Sequence, residues 1–231
     1  MAGQFEPAEA GGAAIALDEV EISILRSLTV QLLELIGPGT EPAEPPRPET
    51  PPGEGAKGDS MEEELAGIEA VSWPSFADGP SEPPSDPVLA RLFPDAYGPG
   101  PGPGPSPEAE PGSDEAARAR HDRGASAEFR RYTENDLRAR KREDGLAVVR
   151  SLDALTPGDR GAVLTLGPEE SRRWLGTLND LRLALGTRLE VSDDSDDELY
   201  SLPDSDERKP LVMAYLWLGS LQETLVETLT P

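Results

Sequence analysis

Between residues 118 and 142 the chain gathers nine cations, Arg118, Arg120, Arg123, Arg130, Arg131, Arg138, Arg140, Lys141 and Arg142, against Asp122, Glu128, Glu134 and Asp136. Guanidinium groups carry forked donors that suit phosphates and carboxylates, so this island has a binding chemistry to offer. Arg130, Arg131, Arg138, Arg140, Lys141 and Arg142 are the candidate partner or nucleic-acid binding residues. Three readings stay open. Arg130 and Arg138 each stand four residues from Glu134, and Asp136 stands four from Arg140, which suits a solvated helix face with its own ion pairs. An acidic protein partner or DNA would satisfy the same groups. A helix-turn-helix with residues 142–145 as its turn would open its recognition helix with Leu146, Ala147, Val148 and Val149, and apolar residues belong in a core rather than against base edges.

The other candidates for chemistry fall away on residue type or spacing. His121 is the only histidine and sits in a polar stretch, so neither a histidine metal cluster nor a Ser-His-Asp arrangement can be assembled. Gly53-Glu54-Gly55-Ala56-Lys57-Gly58-Asp59-Ser60 lacks the Gly-Lys-Ser/Thr ending of a phosphate loop and reads as a linker. The run Asp193-Asp194-Ser195-Asp196-Asp197-Glu198 has the charge of a calcium loop, but Leu199 stands where a glycine must make the turn. It reads as a solvated acidic loop. No carboxylate falls in an identifiable apolar pocket, as acid catalysis requires. No enzyme, no metal and no cofactor are expected.

Composition narrows the class further. Of 231 residues 36% are apolar and 5% aromatic, which predicts one modest core smaller than the chain. A formal charge of −24 repels nucleic acid and anionic membranes at long range unless a local patch reverses the field. Only residues 116–160 have a positive balance. With no cysteine, disulfides, thiolate metal sites and thiol switches are excluded in this chain. The opening Met1-Ala2-Gly3-Gln4-Phe5-Glu6 lacks the basic flank and apolar run of a signal peptide, and no window approaches a membrane span. A cytoplasmic protein without a membrane partner is expected, and a homo-oligomer stays open.

The elements that must position the basic island follow from periodicity. Asp18 and Glu21 form a capping-box start, and Val20, Ile24, Leu28, Leu32 and Leu35 recur at helical spacing until Gly37. Most of the 25 prolines lie between Pro38 and Pro111, where too little apolar surface exists to offset ordering entropy. Two apolar islands interrupt that region: Met61, Leu65, Ile68, Trp73 and Phe76, then Val88, Leu89, Leu92, Phe93 and Tyr97 behind an Asp86-Pro87 turn. Docking onto the chain's own core and binding a partner are both open for them. From Ser126 a long helix is expected, with Phe129, Tyr132 and Leu137 on one side, Leu146, Val149, Leu152 and Leu155 continuing it, and a break or kink at Gly145. A helix over 168–185 stops at Gly186, and Pro210 opens a last helix that should be the central core element, with Met213 shielded inside it.

Two of these stretches share one plan. Gly12-Ala13-Ala14-Ile15-Ala16-Leu17 leads into a helix ending at Gly37, and Gly161-Ala162-Val163-Leu164-Thr165-Leu166 leads into a helix ending at Gly186. Leu17 matches Leu166, Glu21 matches Glu170, Leu25 matches Trp174, Leu32 matches Leu181 and Ile36 matches Leu185. The repeat predicts a mainly α domain with a two-stranded antiparallel β ribbon, residues 13–17 against 162–166, about an approximate two-fold axis. One domain built from 12–37, 61–97 and 126–231 is expected, with 40–58 and 98–124 as disordered Pro/Gly/acidic inserts.

Three blocks then resemble a known family. They are Asp86-Pro87-Val88-Leu89-Ala90-Arg91-Leu92-Phe93-Pro94-Asp95-Ala96-Tyr97; Glu128-Phe129-Arg130-Arg131-Tyr132-Thr133-Glu134 with Leu137, Arg138 and Lys141; and, most specific, Trp174-Leu175-Gly176-Thr177-Leu178-Asn179-Asp180-Leu181-Arg182-Leu183-Ala184-Leu185-Gly186-Thr187-Arg188-Leu189. Together they resemble the actinobacterial oxidative stress regulator family AosR, long described as a domain of unknown function. The resemblance implies a cytoplasmic transcription regulator that answers oxidative stress through a sigma factor or RNA polymerase. Family genes often neighbour that of the ClpS adaptor, so a non-catalytic adaptor or scaffold linked to Clp proteolysis is an alternative, and a direct DNA-binding regulator a second. The family's redox response rests on a cysteine pair. Without cysteine, this chain can share the regulation but not the thiol sensing.

Overall fold

The computed structural model describes residues 3–38, 79–98, 114–158, 161–192 and 201–230. The expected insert 40–58, the Met61 to Phe76 island and the acidic run from Asp193 lie outside them. Strand β1 (Glu6–Pro7) and a 3-10 turn (Glu9–Gly11) precede β2 (Ala13–Leu17) and helix α1 (Glu19–Ile36). Helix α2 (Pro87–Leu92) and the long α3 (Asp114–Asp153) follow, then β3 (Ala162–Leu166), α4 (Pro168–Arg188) and α5 (Lys209–Leu229). The fold is mainly helical, with β1, β2 and β3 in a small antiparallel sheet. The expected ribbon is present and gains β1 as a third strand, because Glu6 and Pro7 pair with Ala14 and Ala13.

The β2 and β3 register carries the repeat. Ala13 pairs with Leu166, Ile15 with Leu164 and Leu17 with Ala162. Ile15, Leu17, Leu164 and Leu166 point into the core while Ala16, Val163 and Thr165 face out, the alternation that a half-buried strand requires. The glycines at equivalent ends allow the close approach: a Cβ on Gly12 would lie 2.1 Å from the Leu166 carbonyl oxygen, and one on Gly161 would lie 2.3 Å from that of Leu17.

Each strand feeds a capped helix. Asp18 accepts the Glu21 N–H at 2.8 Å, and Glu21 accepts the Asp18 N–H at 2.9 Å. At the second site Gly167 has no side chain, so only the returning bond exists, from Gly167 N–H to Glu170 Oε2 at 2.8 Å. The helix ends differ. Gly37, at φ 81, stops α1, but α4 runs through the expected stop Gly186 to Arg188. Gly186 instead lets the Tyr215 ring approach, to 3.3 Å from where a Cβ would stand.

Helix α4 packs against α1, α2, α3 and α5 and is the centre of the core. Trp174, Leu178, Leu181 and Leu185 form its buried face, and Trp174 donates to Ser151 Oγ on α3 at 3.1 Å. Phe5 meets the Trp174 ring edge-on at 6.1 Å. Helix α5 covers one side only, through Val212, Leu218, Leu221 and Leu225. Met213, expected inside the core, is therefore 54% exposed.

Helix α3 departs from expectation at both ends of its pattern. It is helical from Asp114, so residues 114–124 are not part of a disordered insert, and it passes Gly145 without ending. Gly145 faces α1: a Cβ there would lie 3.0 Å from Leu33 Cδ2. The glycine serves helix contact rather than a break.

Candidate partner-binding surface on the long helix

The basic island lies along α3, and its side chains divide into two sets. Arg130 is 4% exposed. It donates to the Phe93 carbonyl at 3.0 Å, to Asp95 at 2.9 Å and to Glu134. Arg138 donates to Glu134 at 2.8 Å and to the Ile36 carbonyl at 3.0 Å, and its guanidinium stands 4.2 Å from the centre of the Phe93 ring. Arg142 reaches the Gly37 carbonyl at 3.2 Å. Lys141 bonds Asp180 on α4 at 2.5 Å.

These four cations fasten elements together. Helix α1 has no basic residue in its last turn, so Arg138 and Arg142 supply the donors and the positive charge that its C-terminal carbonyls need. Arg130, itself held by Glu134, fixes the α2 segment through Phe93 and Asp95. Burial by itself lowers the pKa of Arg130, but hydrogen bonds and charge from Asp95 and Glu134 hold it above its ordinary value. Burial pushes the Asp180 carboxyl above the usual carboxylate range, against the opposing pull of Lys141. Arg130 is thus sealed inside, and Arg138, Lys141 and Arg142 spend their donors on the chain itself.

The second set faces outward. Arg131 and Arg140 are exposed, with Arg131 stacked 5.5 Å from the centre of the Tyr132 ring. Phe129, Tyr132 and Leu137, expected as one side of this helix, are 49%, 55% and 39% exposed. Tyr97, 52% exposed, meets Phe129 edge-on at 6.4 Å. At 100° per residue, Phe129, Tyr132 and Arg140 share one side of α3, and Leu137 borders it. An exposed aromatic strip with arginines at its margins has the composition of a protein-contact hot spot. The sequence pattern showed the strip's periodicity but not which way it faces, since burial depends on what packs opposite.

Among the described residues no helix is long and apolar enough to cross a membrane. Two curated relatives, both named oxidative stress regulator AosR, come from Mycobacterium tuberculosis and Mycobacterium bovis. Each is 32% identical over 164 residues, which is 71% of this chain and 64% of the relative. The chain thus spans about 64% of the length of the curated relatives it matches. No solved structure matches. The resemblance carried by the Asp86, Glu128 and Trp174 blocks holds, and a family model described as a domain of unknown function, DUF2017, matches residues 2–229. The chain belongs to the DUF2017 family, and the AosR oxidative stress regulators are similar to it.

Proposed function

We propose that this protein is a non-catalytic regulator of transcription under oxidative stress, and that it works through protein contact with RNA polymerase or a sigma factor. The stress role is supported by the names of its relatives. The mode of action is supported by one observation above all: Arg130, Arg138, Lys141 and Arg142 are committed to internal partners, so four of the island's nine cations are held away from a run of phosphates. Binding DNA would also work against a charge of −24. Phe129 and Tyr132, with Arg140 on the same side of the helix, offer apolar area and forked donors to an acidic protein surface.

The test is a pull-down with purified RNA polymerase and sigma factors. Wild type should capture one of them. Phe129→Ala with Tyr132→Ala should lose the capture while keeping native helicity. Capture that is unchanged in this variant would remove the strip from the contact.

A further inference from the structure

The segment from Phe93 to Tyr97 belongs to no helix or strand, yet two buried side chains of α3 hold it. Arg130, 4% exposed, donates to the Phe93 carbonyl at 3.0 Å and to Asp95 at 2.9 Å. Ser126, 3% exposed, clasps both main-chain groups of Tyr97: its Oγ accepts the Tyr97 N–H at 3.0 Å and donates to the Tyr97 carbonyl at 2.9 Å. A hydroxyl inside a helix commonly bonds back to the carbonyl four residues earlier, as Thr29, Thr133, Ser171 and Thr177 do. Ser126 is spent on Tyr97 instead, and Gly98, at φ 100, turns the chain immediately after it.

What this clamp fixes is a ring that faces solvent. Tyr97 is 52% exposed and stands edge-on to Phe129, itself 49% exposed, at 6.4 Å. Tyr132, three residues further along α3, is 55% exposed. Burying an arginine and a serine costs desolvation, and the bonds that offset the cost here leave an aromatic side chain outside the core. A ring already held in place loses little entropy when a partner covers it. Beside the rings, Phe93, Pro94, Ala96, Phe129 and Leu137 wall a dimple of about 40 Å³, room for a small aliphatic side chain.

We infer that Tyr97 is a contact residue of the partner site, that Ser126 is the positioning residue that presents it, and that the dimple takes an aliphatic side chain of the partner. This rests on the protein-contact reading of Phe129 and Tyr132 and extends their strip onto the α2 segment, so the partner touches two elements rather than one helix face. The occupant is the acidic protein surface proposed above. Arg140, exposed on the same side of α3, meets its carboxylates, while the rings and the dimple take its apolar part.

The full chain with Tyr97→Ala, Tyr97→Phe and Ser126→Ala tests this, in the pull-down with RNA polymerase and sigma factors and in fluorine NMR of fluorotyrosine-labelled protein without a partner. Tyr97→Ala should weaken capture by about tenfold or more, and Tyr97→Phe, which keeps the ring, should hold it within about twofold. Ser126→Ala should weaken capture with helicity unchanged, and its Tyr97 resonance should narrow and move toward that of a freely rotating ring. Capture by wild type that Tyr97→Ala leaves unchanged overturns the contact, and a Tyr97 resonance unmoved by Ser126→Ala overturns the positioning. A wild type that captures neither factor sinks the protein-contact reading and the contact with it, whereas the resonance still decides whether Ser126 holds Tyr97.

Discussion

Ile15 and Leu164 face each other at the midpoint of the β2 and β3 pairing, and they are the same position of the internal repeat. The register is therefore symmetric about that pair, with Gly12 and Gly161 at equivalent ends. Each glycine leaves room for a carbonyl of the other strand, and Gly161 also has φ 83. Gly12→Ala and Gly161→Ala should each cost about 2 kcal/mol, from displaced backbone in the first and added left-handed strain in the second. Urea unfolding checks both, and a neutral Gly161→Ala would contradict the described turn.

The two sets of cations on α3 should separate cleanly in stability. Arg130→Ala leaves Glu134 buried at 3% exposure with one partner fewer, which should cost roughly 3 to 5 kcal/mol. Arg131→Ala and Arg140→Ala remove exposed groups and should stay within about 0.5 kcal/mol of wild type. Midpoints of urea unfolding for the three variants decide it.

The partition explains what the sequence could and could not reveal. Asp18 with Glu21, Asp86 before Pro87, and the two Gly-to-Leu strands are local signals, and the elements they predict are present. The misreadings were tertiary. Gly145 reads as a break until α1 places Leu33 against it. Gly186 reads as a stop until Tyr215 packs there. Met213 reads as core because its neighbours are apolar, but α5 is covered on one side only. The spacing of Arg130 and Arg138 from Glu134 was visible, whereas the carbonyls of Phe93, Ile36 and Gly37 that they also bind lie far away in sequence. That no basic residue closes α1 was the one clue.

Asp180 gives the fold a pH signature. Burial raises its folded pKa, so between its ordinary value of about 3.9 and the raised one the native state binds more protons than the unfolded chain. Its contribution to stability is accordingly greatest below the ordinary value and declines as pH rises through the folded one. Asp180→Asn should remove that component. The stability difference between wild type and variant, followed by urea unfolding from about pH 3 upward, should shift against wild type as pH rises. A difference independent of pH would show that the carboxyl is not perturbed.

Oxidants should act on this chain without crosslinking it. It has no cysteine, and Met213 is 54% exposed. Peroxide should convert Met213 to the sulfoxide in the folded protein, seen by peptide mass, while non-reducing electrophoresis shows no covalent dimer. Protection of Met213 in the folded protein would contradict its exposure on α5.

Binding of the wild-type protein to promoter DNA and to RNA polymerase with its sigma factors, measured at low and physiological salt, decides between regulation by protein contact and regulation by DNA binding. Regulation by protein contact predicts a polymerase or sigma complex at both salt concentrations and no shift of DNA by the isolated protein. Tight DNA binding that falls steeply with salt, as release of many counterions requires, would contradict it.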